Sequence, residues 1–166
     1  MTILKFKKEK AAITNKPVAN FTSHISNFII THNEALYNSD HKTIIHSPKT
    51  VTGHFDVPQG VELIGIEAFA GCKGLLSITI PDSVHKISML AFADCENLQQ
   101  IILKSTNIIE LSEDSFRGVD KTKCLIYVPL QVQNEFIKAN YWMEFKNIVA
   151  AKEAFELNSE NRKQVI

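Results

Sequence analysis

The chain contains two copies of one segment, 23 residues apart, and this repeat limits the possible folds more than any other feature. Residues 61–80 read VELIGIEAFAGCKGLLSITI, and residues 84–103 read VHKISMLAFADCENLQQIIL. A coil of this length is one chain thick, so it buries its apolar side chains only against the coils above and below it. The repeat therefore predicts a solenoid of stacked coils. The matching pairs are Val61/Val84, Ile64/Ile87, Ala68/Ala91, Phe69/Phe92, Cys72/Cys95, Leu75/Leu98, Ile78/Ile101 and Ile80/Leu103.

The repeat continues on both sides of these two copies. The FDVP of residues 55–58 lies 23 residues before the ITIP of residues 78–81, and residues 126–129 read IYVP. After the second copy the spacing becomes 24 residues, which places Phe116 in the position of Phe92. The sequence thus predicts four strand positions. A period of about 20–29 residues with frequent apolar positions is typical of leucine-rich-repeat coils.

Alternation along each strand predicts which side chains face outward. In Ile78-Thr79-Ile80 the two isoleucines point to one side and the threonine to the other, so we predict that Thr79 faces solvent. Aligning the four strands gives two rows of outward residues on one concave surface. These candidate partner-binding residues are His54, Asp56, Ser77, Thr79, Gln100, Ile102, Leu125 and Tyr127.

The polarity of these two rows changes along the stack. The first strand contributes His54 and Asp56, whereas Ile102, Leu125 and Tyr127 lie towards the end. Apolar and tyrosine side chains on a rigid sheet bury area with little loss of side-chain freedom, which favours contact with another protein. The alternative is that these positions only satisfy β-propensity or lie beneath the C-terminal segment.

Two flanking segments are expected to close the ends of the solenoid. Residues 36–37 and 43–45 are apolar or β-prone and surround the turn-prone Asn38-Ser39-Asp40, which predicts a hairpin. Near the other end, apolar residues with helical spacing and an apolar cluster predict a helical cap. Such caps cover the last apolar layer and strand edge of an open stack. The C-terminal residues concerned are Val132, Phe136, Ile137, Tyr141, Trp142, Phe145, Ile148 and Val149.

The pattern V-x-x-I-x-x-x-A-F-x-x-C-x-x-L-x-x-I-x-I-P resembles the BspA-type leucine-rich repeat, and the resemblance covers roughly residues 27–150. It departs from the pattern in the third coil, where Ser115 and Val119 replace the usual alanine and cysteine. The resemblance implies an α/β repeat solenoid of leucine-rich-repeat coils with a β-sheet on the concave side. It also implies a binding scaffold, often on bacterial surfaces, with no catalytic residues.

We predict one domain over the whole chain, whose 45% apolar content is ordinary for a globular protein. Residues 1–26 are a leader, and residues 27–60 hold the N-terminal hairpin and the first strand. The repeats occupy residues 61–129, and residues 130–166 form the C-terminal cap.

The cysteines and histidines give no sign of a metal or catalytic centre. Cys72 and Cys95 occupy equivalent places in adjacent coils. Their α-carbons are expected to lie about 5 Å apart, a distance that would permit a disulfide. Buried free thiols are the favoured interpretation, because the repeat alone explains their recurrence; Cys124 has no partner by spacing. The six histidines are scattered, and no zinc-ligand pairs, nucleophile elbow or phosphate-binding glycine loop occur. We therefore predict no cofactor, no metal and no enzymatic activity.

The composition of the N-terminus bears on partners and localisation. Residues 1–16 hold five lysines and one glutamate, which we interpret as a solvated basic arm and not as a nucleic-acid site. No signal-peptide core and no apolar run of about 18 residues occur, so a cytoplasmic location without a membrane span is expected. The leading hypothesis is a protein-binding scaffold, most concretely an immunity or inhibitor protein that binds a toxin or enzyme. The alternative is a surface or secreted adhesion module, exported if a signal was removed.

Overall fold

The computed structural model describes residues 28–30 and 35–151. One four-residue helix, α1 (Gln133–Phe136), and 3₁₀ turns at Leu130–Val132 and Trp142–Glu144 lie near the C-terminal end of this part. The strands in it are β1 (Phe28–Ile30), β2 (Leu36–Asn38), β3 (Thr43–His46), β4 (Gly53–Asp56), β5 (Leu63–Ile64), β6 (Leu75–Ile80), β7 (Lys86–Ile87), β8 (Gln100–Leu103), β9 (Glu110–Leu111), β10 (Leu125–Val128) and β11 (Asn147–Ala150).

The strands form two sheets that run along the stack. One has the order β1-β2-β3-β5-β7-β9, and the other has the order β11-β10-β8-β6-β4. From β3 to β10 the chain alternates between the sheets, so each coil contributes one strand to each. Equivalent strands of successive coils pair in parallel. The predicted repeat solenoid is confirmed.

Equivalent apolar residues stack over one another inside the five-stranded sheet. Phe55 pairs with Ile78, Ile78 with Ile101, Ile101 with Ile126, and Ile126 with Ile148. All five side chains are buried. Each layer thus excludes water from the next, as the repeat predicted.

A ladder of phenylalanine rings fills the interior between the sheets. The Phe69 and Phe92 rings are stacked with centroids 5.0 Å apart, and the Phe92 and Phe116 rings are stacked at 4.9 Å. Phe55 closes the N-terminal side with an edge-on contact of 5.0 Å to Phe69. At the other side the ladder reaches the Trp142 ring, 5.9 Å from Phe116. The ladder joins all the coils into one apolar core.

Three successive coils turn through a left-handed residue at the same place. Glu67, Leu90 and Asp114 have φ values of 55°, 58° and 56°. The next residue is small and buried in each of these three coils, and in the third of them it is Ser115. The Ser115 hydroxyl donates a hydrogen bond of 2.6 Å to the Ser112 carbonyl oxygen. Serine can therefore replace alanine at this position, because its buried hydroxyl has a hydrogen-bond partner.

Gly65 marks a very close approach between two coils. Its N–H donates a hydrogen bond of 2.8 Å to the Ile44 carbonyl oxygen, and a Cβ at this position would lie 2.6 Å from the same oxygen. We predict that Gly65→Ala lowers the free energy of unfolding by about 1–3 kcal/mol, because the coils must separate. Urea denaturation monitored by circular dichroism measures this change in the free energy of unfolding.

The neighbouring position supplies a matched control for this prediction. Ile66 is 61% exposed, so Ile66→Ala is expected to change the free energy of unfolding by no more than about 0.5 kcal/mol. Equal urea midpoints for Gly65→Ala and the wild type would contradict the close packing of the coils that contain Ile44 and Gly65.

The N-terminal hairpin has the predicted position. β2 and β3 pair antiparallel, with Leu36 opposite His46 and Tyr37 opposite Ile44. β3 then pairs in parallel with β5, so the hairpin joins the solenoid through the six-stranded sheet. The basic arm and the rest of the predicted leader lie outside the described residues.

The C-terminal cap differs from the predicted helix. Val132 and Phe136 are buried in the short helical segment, but Ile137 and Tyr141 are exposed. Residues 147–150 form β11, which pairs in parallel with β10 and adds a fifth strand to the sheet. β-branched residues suit this strand and its pairing. Residues 152–166 of the predicted cap lie outside the described part, within which no helix is long and apolar enough to cross a bilayer.

Candidate functional site

The eight predicted partner-binding residues lie in two continuous rows across the five-stranded sheet. Strand register places His54, Ser77, Gln100 and Leu125 side by side, and likewise Asp56, Thr79, Ile102 and Tyr127. We call these two rows, together with Asn147 and Val149 of β11, the sheet surface. At a spacing of about 4.8 Å between strands, five strands span about 19 Å.

The sequence pattern did not place Asn147 and Val149 in these two rows. They extend the two rows because Leu125 pairs with Asn147 and Tyr127 with Val149. The spacing in the sequence does indicate a further strand here, since residues 147–150 follow residues 125–128 by 22 residues, close to the repeat period. The helical spacing of the preceding residues concealed it.

The first end of the sheet surface is polar. The side chain of Asp56 is 62% exposed and that of His54 is 38% exposed. Thr79, in contrast, is buried, so the prediction that it faces solvent was wrong. Its strand lies between β4 and β8, and its hydroxyl lies 3.1 Å from His54 Nε2. The His54 imidazole, from the preceding coil, therefore covers the Thr79 hydroxyl and keeps water from it.

The other end of the sheet surface is apolar. Ile102, Leu125, Tyr127 and Val149 are each half-buried. Gln100, between the polar and apolar parts, is exposed. The sheet surface therefore has charged and hydrogen-bonding side chains at one end and half-buried apolar side chains at the other.

Four polar side chains are connected at the first end. His54 Nδ1 lies 2.6 Å from Ser77 Oγ, and His54 Nε2 lies 3.1 Å from Asp56 Oδ1. Burial raises the pKa of Asp56, but hydrogen bonds and charge from His54, with the Thr79 hydroxyl and the Lys104 ammonium, lower it by more. The net result is a pKa below the ordinary value. Asp56 is therefore a carboxylate at neutral pH.

The three cysteines are buried and free, which confirms the favoured interpretation. The Cys95 thiol donates to the Phe69 carbonyl oxygen over 3.1 Å. Burial raises the pKa of Cys95 and of Cys124 to about 12, and burial also raises that of Cys72. All three remain protonated at neutral pH, so they act as small apolar residues and not as nucleophiles.

A second concave feature lies between the turn of the third coil and the C-terminal cap. Its walls include the acidic residues Glu113 and Asp114 on one side and Tyr141 and Glu144 on the other. Lys121 forms an ion pair with Glu144 at this place. The charges on the cap side are thus compensated within the chain.

Comparison with known proteins gives structural neighbours and one family. A leucine-rich repeat protein from Bacteroides capillosus is 24% identical, with 79% of this chain and 99% of that chain aligned and a TM-score of 0.46. A leucine rich cell surface protein from Faecalibacterium prausnitzii is 19% identical over 80% of this chain, with a TM-score of 0.44, and this chain spans 41% of its length. Among curated proteins no match was found.

The family comparison covers the part of the chain that forms the coils. The family described as "BspA type Leucine rich repeat region (6 copies)" matches residues 49–151, more than half of the chain. These residues include every strand of the five-stranded sheet. This chain belongs to the BspA-type leucine-rich repeat family.

Proposed function

We propose that this protein is a non-catalytic scaffold that binds another protein through the sheet surface. The observation that supports the proposal is the register of the five-stranded sheet, which aligns side chains from five strands in two rows, all of them at least partly exposed except Thr79. The side chains on β6, β8 and β10 lie on strands that pair with a neighbour on each side, which holds them in place before binding. A pre-organised surface loses little conformational entropy when a partner binds.

The two ends of the sheet surface suit different parts of an interface. Tyr127, flanked by Ile102 and Val149, offers an aromatic side chain with apolar neighbours, the type of residue that often dominates binding energy. Asp56 adds an exposed negative charge, which orients a partner and speeds association more than it adds affinity. The partner that fits is a protein with an apolar contact area that faces Tyr127 and a basic group that faces Asp56 at the other end of the sheet.

The concrete role that we propose is an immunity or inhibitor protein that covers a toxin or enzyme in the cytosol. The alternative is an adhesion or host-interaction module on the cell surface or outside the cell. The codons upstream of Met1 in the genome distinguish the two, since an in-frame signal sequence would remove the cytosolic proposal. Fractionation of the native cells gives an independent answer.

Site-specific photo-crosslinking tests the binding surface directly. A photoreactive phenylalanine analogue is placed at Gln100, in the centre of the sheet surface, and in a second variant at Met89. Met89 is 46% exposed and lies in the turn after β7, a strand of the other sheet. A partner band formed from position 100 and not from position 89 supports the proposal. The reverse pattern would place the contact surface elsewhere.

Tyr127→Ala is expected to weaken binding of the crosslinked partner at least about tenfold, or about 1.4 kcal/mol. The side chain is only half-buried in the free protein, so folding should stay nearly intact. Isothermal titration calorimetry measures the affinity, and a thermal melt checks the fold. Met89→Ala is the control and should bind like the wild type. Equal affinities for the two variants would exclude Tyr127 from the interface.

A further inference from the structure

A serine, a histidine and an aspartate form a chain of two hydrogen bonds at the first end of the sheet surface. Ser77 lies on β6, and His54 and Asp56 lie on β4. The register places His54 opposite Ser77 and Asp56 opposite Thr79, so the parallel pairing of two strands fixes the group. The later strands carry Gln100, Leu125 and Asn147 in the row of Ser77, so neither row repeats this combination along the sheet.

The hydrogen-bond partners determine where the protons lie. Asp56 is ionised and can only accept, so His54 Nε2 carries the hydrogen directed at Asp56 Oδ1. In the neutral imidazole, Nδ1 then holds a lone pair and accepts from the Ser77 hydroxyl, 2.6 Å away. The serine hydroxyl is therefore bonded to a base, and that base is oriented by a carboxylate. This is the proton arrangement that activates a serine nucleophile.

The group is both rigid and open to solvent. The side chain of His54 is 38% exposed, and Ser77 is partly exposed. The Thr79 hydroxyl, 3.1 Å from His54 Nε2, supports the ring from the neighbouring position. Ser77 thus retains solvent-accessible area that a small electrophile can contact.

We propose that Ser77 is a nucleophilic hydroxyl that is modified by acyl or phosphonyl electrophiles carrying a good leaving group. With a fluorophosphonate, Ser77 Oγ attacks phosphorus, a P–O bond forms and the P–F bond breaks. Fluoride leaves, the Ser77 proton passes to His54 Nδ1, and His54 then releases it to solvent. With an activated ester, the alkoxide or phenolate leaving group receives that proton and the acyl group stays on Ser77. No electron transfer is involved.

The surroundings of Ser77 restrict this chemistry to activated electrophiles. Ser77 lies within a strand whose backbone groups pair with β4 and β8, so its own backbone forms no anion-binding turn like that of serine hydrolases. Charge that develops on a carbonyl or phosphonyl oxygen is left to water. We therefore expect stoichiometric modification of Ser77, which is compatible with a binding scaffold and independent of whether the sheet surface binds a partner.

Labelling of the full chain with a fluorophosphonate probe tests the proposal. Trypsin cleavage after Lys73 and Lys86 releases one peptide that contains both Ser77 and Ser83, so fragmentation compares two serines in the same sample. Ser83 lacks a histidine partner: its hydroxyl donates to the Val61 carbonyl oxygen. Ser77 is expected to label about 10²-fold faster than Ser83, the lower end of what a positioned general base contributes.

Variants of the other two members show whether His54 and Asp56 act as argued. His54→Gln should reduce labelling at Ser77 to the rate of Ser83, with an unchanged circular dichroism spectrum. Asp56→Asn should slow labelling as well, because the imidazole loses its fixed tautomer, and Asp56→Glu should restore part of the rate. A purely structural role of Asp56 would not give this rescue.

Three results would overturn the proposal. They are the absence of an adduct on Ser77, equal labelling of Ser77 and Ser83, and wild-type labelling of His54→Gln. Failure of His54→Gln to fold leaves the comparison of the two serines in the wild-type chain as the deciding measurement.

Discussion

Replacing Phe92 with alanine is expected to lower the free energy of unfolding by about 3–5 kcal/mol, the usual cost of removing a buried aromatic ring. Phe92 is fully buried in the middle of the phenylalanine ladder. Its ring stacks on Phe69 with an interplanar angle of 11° and on Phe116 with an angle of 3°. The substitution therefore leaves a cavity between two coils and removes contacts on both sides.

Urea denaturation monitored by far-ultraviolet circular dichroism measures this loss. Met89→Ala is the matched control, because Met89 lies three residues away in the same coil and is 46% exposed. It should change the free energy of unfolding by no more than about 0.5 kcal/mol. Equal urea midpoints for the two variants would contradict the assignment of Phe92 to the core.

Trp142→Ala is expected to have an effect of similar size, about 3–5 kcal/mol, at the C-terminal end of the stack. Trp142 is fully buried, and its Nε1–H donates a hydrogen bond of 2.7 Å to the Ile109 carbonyl oxygen. Its ring also contacts Phe136 and Phe145 at centroid distances of 5.4 Å and 6.0 Å. The side chain thus ties the cap to the third coil, and its loss leaves a buried carbonyl without its donor.

Two further variants separate the parts of this effect. Trp142→Phe keeps most of the apolar ring but loses the donor, so a smaller loss of about 1–3 kcal/mol is expected. Met143→Ala is the control, since Met143 is 56% exposed. Thermal and urea melts of the four proteins give the comparison. Identical stabilities of Trp142→Ala and Met143→Ala would show that the cap adds nothing to the fold.

The stacking of the coils could be predicted from the sequence because the same physical requirement recurs in every coil. Ile78 and Ile101 occupy one position of the repeat, and burial by neighbouring coils requires that they lie over each other. The register of the sheet follows from that alignment, and so do the two rows of outward residues. With a constant repeat length, residues at the same position of successive repeats lie next to one another in the folded stack.

The remaining features depend on contacts that the repeat does not encode. Burial of Thr79 arises from the ring of His54 in the preceding coil, and the pattern of a single strand gives no information on that contact. The left-handed turn residues Glu67 and Leu90 are not glycine, so no residue type marked their positions. No pair like Ala68-Phe69 or Ala91-Phe92 precedes β11, and a helical pattern before it concealed the strand.

The organisation of the Ser77 group illustrates the same limit on a smaller scale. His54 and Ser77 are 23 residues apart, so the repeat places them side by side. The direction of each side chain, and the bond from His54 to Asp56, depend on rotamers that only the structure gives. The sequence therefore predicted a polar end of the surface but not its internal hydrogen bonds.

Hydroxyl-radical footprinting of the complex with the crosslinked partner tests most directly whether the sheet surface is the binding site. The measurement compares the oxidation of individual side chains in the free and bound protein. Loss of reactivity at Ile102, Leu125 and Tyr127, with unchanged reactivity at Ile66 and Met89, is the predicted result. Protection of Ile66 and Met89 with unchanged oxidation of Tyr127 would contradict the account.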